Sequence, residues 1–126
     1  MLNLLLVAAG GAFGATLRHL FSGAALRLIG AAWPYATFTI NVVGSLLMGV
    51  LAGSLAFRGD GGQQLRLLLG TGVLGGFTTF SAFSLETVQM IERREFAPAA
   101  VYVVGSVAIG AAALFVGLWL ARRVFA

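Results

Sequence analysis

The chain has 126 residues, of which 60% are hydrophobic and only 10% are charged, and its mean hydropathy is +0.99. So much apolar surface cannot be buried in a small soluble core, which excludes a soluble domain and predicts an integral membrane protein. The chain has no cysteine, one histidine and no clustered carboxylates, so neither disulfides nor an enzyme centre is expected, and we expect no nucleic-acid partner for its net charge of +4.

Four uncharged runs of residues follow one another along the chain, at 1–17, 28–57, 67–85 and 96–121. Each approaches or exceeds the about 20 residues that cross a hydrocarbon core. No basic region precedes the first run, so we interpret it as a retained span and not as a signal peptide. The fold class is therefore all-α, with residues 1–126 forming one transmembrane domain. The four predicted helices cover about 2–21, 33–57, 66–91 and 97–122.

Short connections at 23–32, 58–66 and 92–95 separate these helices. Pairs of small residues recur at helical spacing within the runs and predict faces at which two helices approach closely. Such faces serve either the assembly of several chains or packing within one chain, and both uses stay open. The pairs are Gly10 with Gly14, Gly49 with Gly53, Gly72 with Gly76, and Ser106 with Gly110.

Few polar side chains lie inside the predicted spans. Asn41 lies well within the second helix, Glu86 closes the third, and Tyr102 and Ser106 share one face of the fourth. Polar groups in lipid need partners or a wet path, so each is a candidate functional residue. The alternatives are a helix-to-helix clamp for Asn41, an interfacial anchor for Tyr102 and a bond to its own helix for Ser106.

The third run contains the sequence GGFTTFSAF at 75–83, which is expected to break its helix. Adjacent glycines and threonines loosen the backbone, and freed carbonyls at membrane depth must line a cavity or a protein interior. Phe80 and Phe83 share one helix face, a spacing that is usually packing. Their ring edges carry partial positive charge, however, and can approach an anion. The segment therefore suits the path of an uncharged or anionic solute.

All eight basic residues are arginines, and they divide evenly between the two ends of the predicted helices. Because the positive-inside rule acts through asymmetry, an even division favours insertion in both orientations. Two oppositely oriented copies could then pair as an antiparallel homodimer. The alternative is an orientation fixed by subtler features, such as loop length. One end carries Arg18, Arg27, Arg93 and Arg94, and the other Arg58, Arg66, Arg122 and Arg123.

Three motifs in order, GGAFGATLR at 10–18, TINVVG at 39–44 and GGFTTFSAF at 75–83, resemble the signatures of the Fluc (CrcB) fluoride channels. The resemblance spans essentially the whole chain. It implies a dual-topology homodimer of four-helix subunits, with two antiparallel fluoride pores and a central structural sodium ion.

The resemblance also implies roles for particular residues. Backbone carbonyls of Gly75 and Thr78 from both subunits would hold the sodium ion, since an unwound helix frees hard oxygen ligands. Arg18 ends the first motif and would lie in the vestibule. Ala82 departs from the threonine that relatives carry between Ser81 and Phe83. The resemblance assigns five residues to the fluoride pathway, namely Asn41, Phe80, Phe83, Tyr102 and Ser106. We add the hydroxyls of Thr79 and Ser81, which are suitable donors along the same path.

The expected function is passive, selective conduction of fluoride out of the cytoplasm through the inner membrane, by a multi-pass protein in lipid. Fluoride holds water strongly, so amide, hydroxyl and ring-edge donors must replace its hydration.

One alternative to a channel is a proton-coupled exporter of the small multidrug-resistance kind. Such exporters need a glutamate in the first helix, whereas every acidic residue here lies at Asp60 or later. A second alternative is a non-conducting assembly protein, which gives no account of Asn41 and the phenylalanine pair.

Overall fold

The computed structural model describes residues 1–126 and is all-helical, with four helical spans long and apolar enough to cross a membrane. This confirms the predicted helical class and the number of spans. We number the helices α1 to α5, where α3 is assembled from α-helical Gln63–Leu65, π-helical Arg66–Leu74 and α-helical Gly75–Phe77. The others are α1, Leu2–Leu28; α2, Tyr35–Leu55; α4, Ser81–Glu92; and α5, Phe96–Phe125.

The first helix is longer than predicted, because it continues to Leu28 and not to residue 21. The predicted connection beginning at Gly23 is therefore wrong over residues 23–28. A glycine inside a helix costs only about 1 kcal/mol, and the alanines and leucines after it are strong helix formers. The helix ends where Gly30 adopts a φ of +92° and donates its N–H to Leu26, the left-handed cap that glycine provides at low cost.

The last helix also exceeds its predicted bounds, since it begins at Phe96 and runs to Phe125 and not from 97 to 122. Pro98 lies in its first turn, where a missing N–H removes no helical hydrogen bond. The second helix is shorter than predicted, at Tyr35–Leu55, because Pro34 precedes its first turn. The predicted helix at 66–91 is replaced by α3 and α4, which together begin three residues earlier.

The helices pack as two close pairs, α1 against α3 and α2 against α5. A side chain at Gly14 would overlap the Val73 carbonyl of α3, and one at Gly49 would overlap the Leu114 carbonyl of α5. Gly72 and Gly76 likewise face the backbone of α1 around Gly10 and Gly11. These predicted small-residue faces therefore serve packing within one chain, because only glycine lets two backbones come this close.

The turn between α4 and α5 carries a strained residue. Arg94 has a φ of 59°, and Glu95 donates its N–H to the carbonyl of Met90. This pattern closes α4 as a Schellman motif with arginine at the position that usually holds glycine. The neighbouring Arg93 pairs with Glu95 at 3.3 Å on the surface.

A small core lies at the same end of the bundle. Met90, Ala99 and Tyr102 are buried together, and Trp33, Phe38 and Phe83 pack against them. Elsewhere the surface is apolar, with large side chains such as Leu4, Val104 and Phe115 exposed. A surface of this kind fits a lipid environment.

Candidate functional site

The third span is interrupted at residues 78–80, where helical backbone ends at Phe77 and resumes at Ser81. Thr78 is extended, with φ −76° and ψ 158°. Its hydroxyl donates to the Leu74 carbonyl at 2.8 Å, and its methyl group occupies the space that a side chain at Gly44 would need. Gly44 of α2 therefore makes room for the interrupted segment.

Asn41 of α2 holds the interrupted backbone through both ends of its side-chain amide. Its Nδ2 donates to the Thr79 carbonyl at 2.9 Å, and its Oδ1 accepts the Thr79 N–H at 2.8 Å. The amide nitrogen has two hydrogens, so one remains without a partner in the chain. The predicted alternative of a clamp thus describes part of what Asn41 does, and the residual N–H leaves it able to donate to an anion.

The carbonyls of Gly75 and Thr78 lose the hydrogen bonds that a continuous helix would give them. The Thr79 N–H, four residues after Gly75, goes to Asn41. The Ala82 N–H, four residues after Thr78, goes to the Thr79 hydroxyl at 3.2 Å. Two hard oxygen acceptors three residues apart in the sequence are thereby freed for another partner.

These two carbonyls are the groups for which the sequence predicts a role toward sodium. No cluster of histidine, cysteine, aspartate or glutamate suited to a metal ion exists in the chain. Backbone carbonyls need no such cluster, because an unwound helix supplies neutral oxygens that suit an alkali cation. Gly75 is exposed, and the chemistry of these oxygens fits an alkali cation.

A cavity of about 330 Å³ lies beside the break, between α2, α4 and α5. It brings together much of the predicted pathway, because the amide of Asn41, the rings of Phe80 and Phe83 and the hydroxyl-bearing Thr79 and Ser106 all border it. Both apolar and hydroxyl-bearing residues complete the wall. Its remaining lining residues are Gly44, Ser45, Met48, Thr78, Val107 and Leu114.

One hydroxyl in this cavity has no partner. The Ser106 oxygen is buried and makes no hydrogen bond, whereas Ser45 donates to the Asn41 carbonyl at 2.7 Å. An unpaired buried hydroxyl costs about 1 to 3 kcal/mol, so it is a group that a polar ligand or solute can satisfy. The predicted alternative, in which Ser106 bonds its own helix, is not what the structure has.

The aromatic rings form a row from the cavity toward the small core. Phe80 and Phe83 have ring centroids 5.7 Å apart, and Phe83 lies 5.0 Å from Tyr102. Tyr102 in turn meets Trp33 edge-on at 5.2 Å. Phe80, at the open end of the row, is 79% exposed. In the single chain this ring therefore borders open space and not a closed path.

Tyr102 lies apart from the cavity wall, and its hydroxyl has another partner. The ring is fully buried, and the hydroxyl donates to Glu86 Oε2 at 3.1 Å. Thr37 donates to the other oxygen of Glu86 at 2.6 Å. Neutral hydroxyls from two neighbouring helices thus hold the one carboxylate near the middle of α4. Tyr102 reaches the cavity only through its packing on Phe83.

A larger cavity of about 600 Å³ opens at the end of the bundle that carries the small core. Arg18, His19 and Arg93 line it, together with Glu86. Arg18, for which the sequence predicts a place in the vestibule, is one of the residues that line this cavity. Thr79 lines both cavities and therefore lies between them.

Two further predicted positions lie at the margins of the site. Ser81 is exposed at the start of α4 and borders neither cavity. Ala82 borders the larger cavity, and its missing hydroxyl removes a polar group from that wall.

Sequence reasoning missed Thr37 and Ser45. Thr37 could have been found from Glu86, since a carboxylate within a span needs donors on a facing helix. Ser45 follows Asn41 by four residues, which places both on one face of α2.

Comparison with known proteins gives consistent results over the whole chain. Residues 5–118 match the family described as CrcB-like protein, Camphor Resistance (CrcB). A protein of Phenylobacterium zucineum (strain HLK1) named Fluoride-specific ion channel FluC is 61% identical over 127 aligned positions, covering 100% of both chains. Proteins of the same name from Caulobacter sp. (strain K31) and Novosphingobium aromaticivorans are 58% and 57% identical. The first covers 99% of this chain and 98% of its own, and the second 94% of each.

Proposed function

This chain belongs to the CrcB-like family, and from that premise we propose that it conducts fluoride ions passively and selectively across the membrane. It is a multi-pass membrane protein and not an enzyme. The observation that carries the proposal is the cavity at the helix break, where the amide of Asn41, the free hydroxyl of Ser106 and two phenyl rings converge without any carboxylate. Such a lining offers neutral donors to an anion and contains no carboxylate that would repel it.

The donors fit the requirements of fluoride. A strongly hydrated anion crosses only where close donors replace its water without holding it too tightly for release. The second N–H of Asn41 and the Ser106 hydroxyl are free to donate, and the ring edges of Phe80 and Phe83 add weakly positive groups. A few neutral donors bind fluoride less tightly than charged groups would, and they therefore favour its passage through the cavity.

The vestibule supplies the charge that attracts anions. Arg18 and Arg93 line the larger cavity, and their positive field raises the local concentration of fluoride at its mouth. The Glu86 carboxylate lies in the same cavity, but its two oxygens accept hydrogen bonds from Thr37 and Tyr102. Thr79, which borders both cavities, is the point at which an ion would leave the vestibule for the inner cavity.

We further propose an antiparallel homodimer as the working unit. In one chain Phe80 and Ser81 of the predicted pathway are exposed, and so is Gly75. A second copy would cover these residues and close the path. The even division of arginines between the two ends supports the opposite orientation of that copy.

A sodium ion would then be held between the copies by the carbonyls of Gly75 and Thr78. When bound, it would supply a fixed positive charge that binds the two interrupted helices together. The chain's own contribution is to free these oxygens from the hydrogen bonds of a continuous helix.

The proposed direction of net transport is out of the cytoplasm, across the inner membrane. Hydrogen fluoride is a weak acid that enters cells neutral and dissociates in a more alkaline interior. An open path for the anion lowers internal fluoride without an energy source. The exporter alternative has no support from the relatives, and α1 carries no acidic residue.

The test is fluoride release from liposomes that contain the purified chain. With a potassium shunt to balance charge, fluoride-loaded vesicles are expected to empty rapidly, as read by a fluoride electrode. Chloride-loaded vesicles should empty no faster than protein-free vesicles. Equal release of both anions, or no release of fluoride, would contradict the proposal.

Orientation can be tested because the chain has no cysteine of its own. A cysteine at Gly61, where a side chain would meet nothing within 4 Å, reports the side of the second connection. With both orientations present, an impermeant thiol reagent should label roughly half of the molecules from outside the cell. Labelling of all or none of them would reject dual orientation.

A further inference from the structure

The break in the third span depends on side chains that lie outside the glycine pair. Gly75 itself is helical, with φ −63° and ψ −37°, and regular helix continues to Phe77. The interruption starts only at Thr78, after both glycines. Flexible residues therefore permit the break without determining where it falls. Interruptions of this kind usually arise where another group enters the ladder of helical hydrogen bonds.

Two side-chain oxygens enter that ladder here. Asn41 Oδ1 accepts the Thr79 N–H, whose helical acceptor would be Gly75, and Thr79 Oγ1 accepts the Ala82 N–H, whose helical acceptor would be Thr78. Each carbonyl that loses its donor is one of the two that would face the cation. The correspondence is one to one, with Asn41 paired to the carbonyl of Gly75 and Thr79 to that of Thr78.

We propose that Asn41 and Thr79 are positioning residues for the cation site, because each captures the backbone N–H that would otherwise occupy one of its carbonyl ligands. The inference rests on the proposed function, which includes that site. Asn41 also borders the anion cavity, so one side chain serves the anion path and the cation site. Neither residue touches the cation itself.

The chemistry of the two positions provides matched pairs of variants. Asn41→Asp keeps an oxygen that accepts the Thr79 N–H, whereas Asn41→Leu has a similar size and no acceptor. In the same way Thr79→Ser keeps the hydroxyl, and Thr79→Val replaces it by a methyl group. In the leucine and valine variants the N–H groups can return to Gly75 and Thr78, since an unpaired N–H in an apolar setting is costly.

The measurement is the thermal unfolding midpoint of the full chain in detergent as sodium chloride replaces N-methylglucamine chloride at constant ionic strength. A cation that binds only the folded protein raises this midpoint with its concentration. The half-saturating sodium concentration is expected to rise about tenfold or more in Asn41→Leu and Thr79→Val, which corresponds to about 1.4 kcal/mol of lost binding energy. It should stay close to the parent value in Thr79→Ser and be equal or lower in Asn41→Asp.

Flux measured on the same proteins separates this inference from the proposed function. Asn41→Asp should keep its response to sodium yet lose fluoride efflux, because a negative charge would border the anion cavity. Parent-like sodium dependence in both Asn41→Leu and Thr79→Val would overturn the inference. If Asn41→Leu does not fold, the sodium dependence of Thr79→Val alone decides whether the inference holds. A parent protein that does not respond to sodium would overturn it too, while fluoride-selective efflux by that protein would leave the conduction proposal standing.

Discussion

Replacement of Phe80 by leucine or of Phe83 by isoleucine is expected to give folded protein that has lost most of its fluoride flux. Both substitutions keep the side chain apolar and of similar size, and such changes usually cost less than about 1.5 kcal/mol of stability. Phe80 in particular is 79% exposed in the single chain, so its ring adds little to the core. What the variants lose is the positive ring edge beside the cavity.

The expected loss is up to about tenfold in efflux rate, since an aromatic edge contributes up to about 1.5 kcal/mol beyond its area and 1.4 kcal/mol is a factor of ten. Liposome efflux and size-exclusion chromatography of each variant measure flux and assembly. Phe96→Leu is the matched control, because Phe96 is also exposed but borders neither cavity. Normal efflux from well-folded Phe80→Leu and Phe83→Ile proteins would show that both rings only pack against their neighbours and have no role in conduction.

Replacement of Gly14 by alanine is expected to disrupt the bundle. The new methyl group would overlap the Val73 carbonyl and approach the Phe77 nitrogen at 2.9 Å. Both obstacles are backbone atoms of α3, which cannot rotate away as a side chain could. Overpacking of this kind costs about 1 to 3 kcal/mol when neighbours can adjust, and more is expected here because two helices must separate.

Gly23→Ala provides the comparison for Gly14→Ala within the same helix. A side chain at Gly23 meets nothing within 4 Å, so alanine should be neutral or should stabilise α1 by about 1 kcal/mol through helix propensity. The yield of monodisperse protein and its thermal midpoint in detergent distinguish the two variants. Equal stability of Gly14→Ala and Gly23→Ala would show that α1 and α3 pack less closely than described.

The helical class and the four spans could be predicted because both follow from local composition. A run of about 20 apolar residues crosses a bilayer whatever its neighbours do. The end of α1 could not be predicted, since Gly23 and Gly30 look alike in the sequence. Only Gly30 has the positive φ that closes a helix. Where a helix stops at such a glycine depends on how the chain must turn to meet the next element.

The members of the site could be named from the sequence more readily than their contacts. Asn41, Phe80 and Ser106 stand out as polar or aromatic groups in or beside a loosened helix, and they do border one cavity. The pairing of Asn41 with the Thr79 backbone has no local signal, because it depends on the distance between α2 and the break. The contact of Tyr102 also depends on how the helices pack. Its hydroxyl, which is expected in the pathway, donates a hydrogen bond to Glu86.

Arg94, the left-handed residue after α4, affects both the stability of the fold and the balance of arginines between the two ends of the bundle. A left-handed conformation costs a non-glycine residue about 1 to 2 kcal/mol, and glycine at position 94 would remove that cost. The same change would take one arginine from its end of the bundle and leave three against four. On the proposed dual orientation, a more stable fold would then come with a preferred direction of insertion, and fewer molecules would find an oppositely oriented partner. Folding stability alone favours glycine at this turn, whereas the proposed balance of orientations favours the strained arginine.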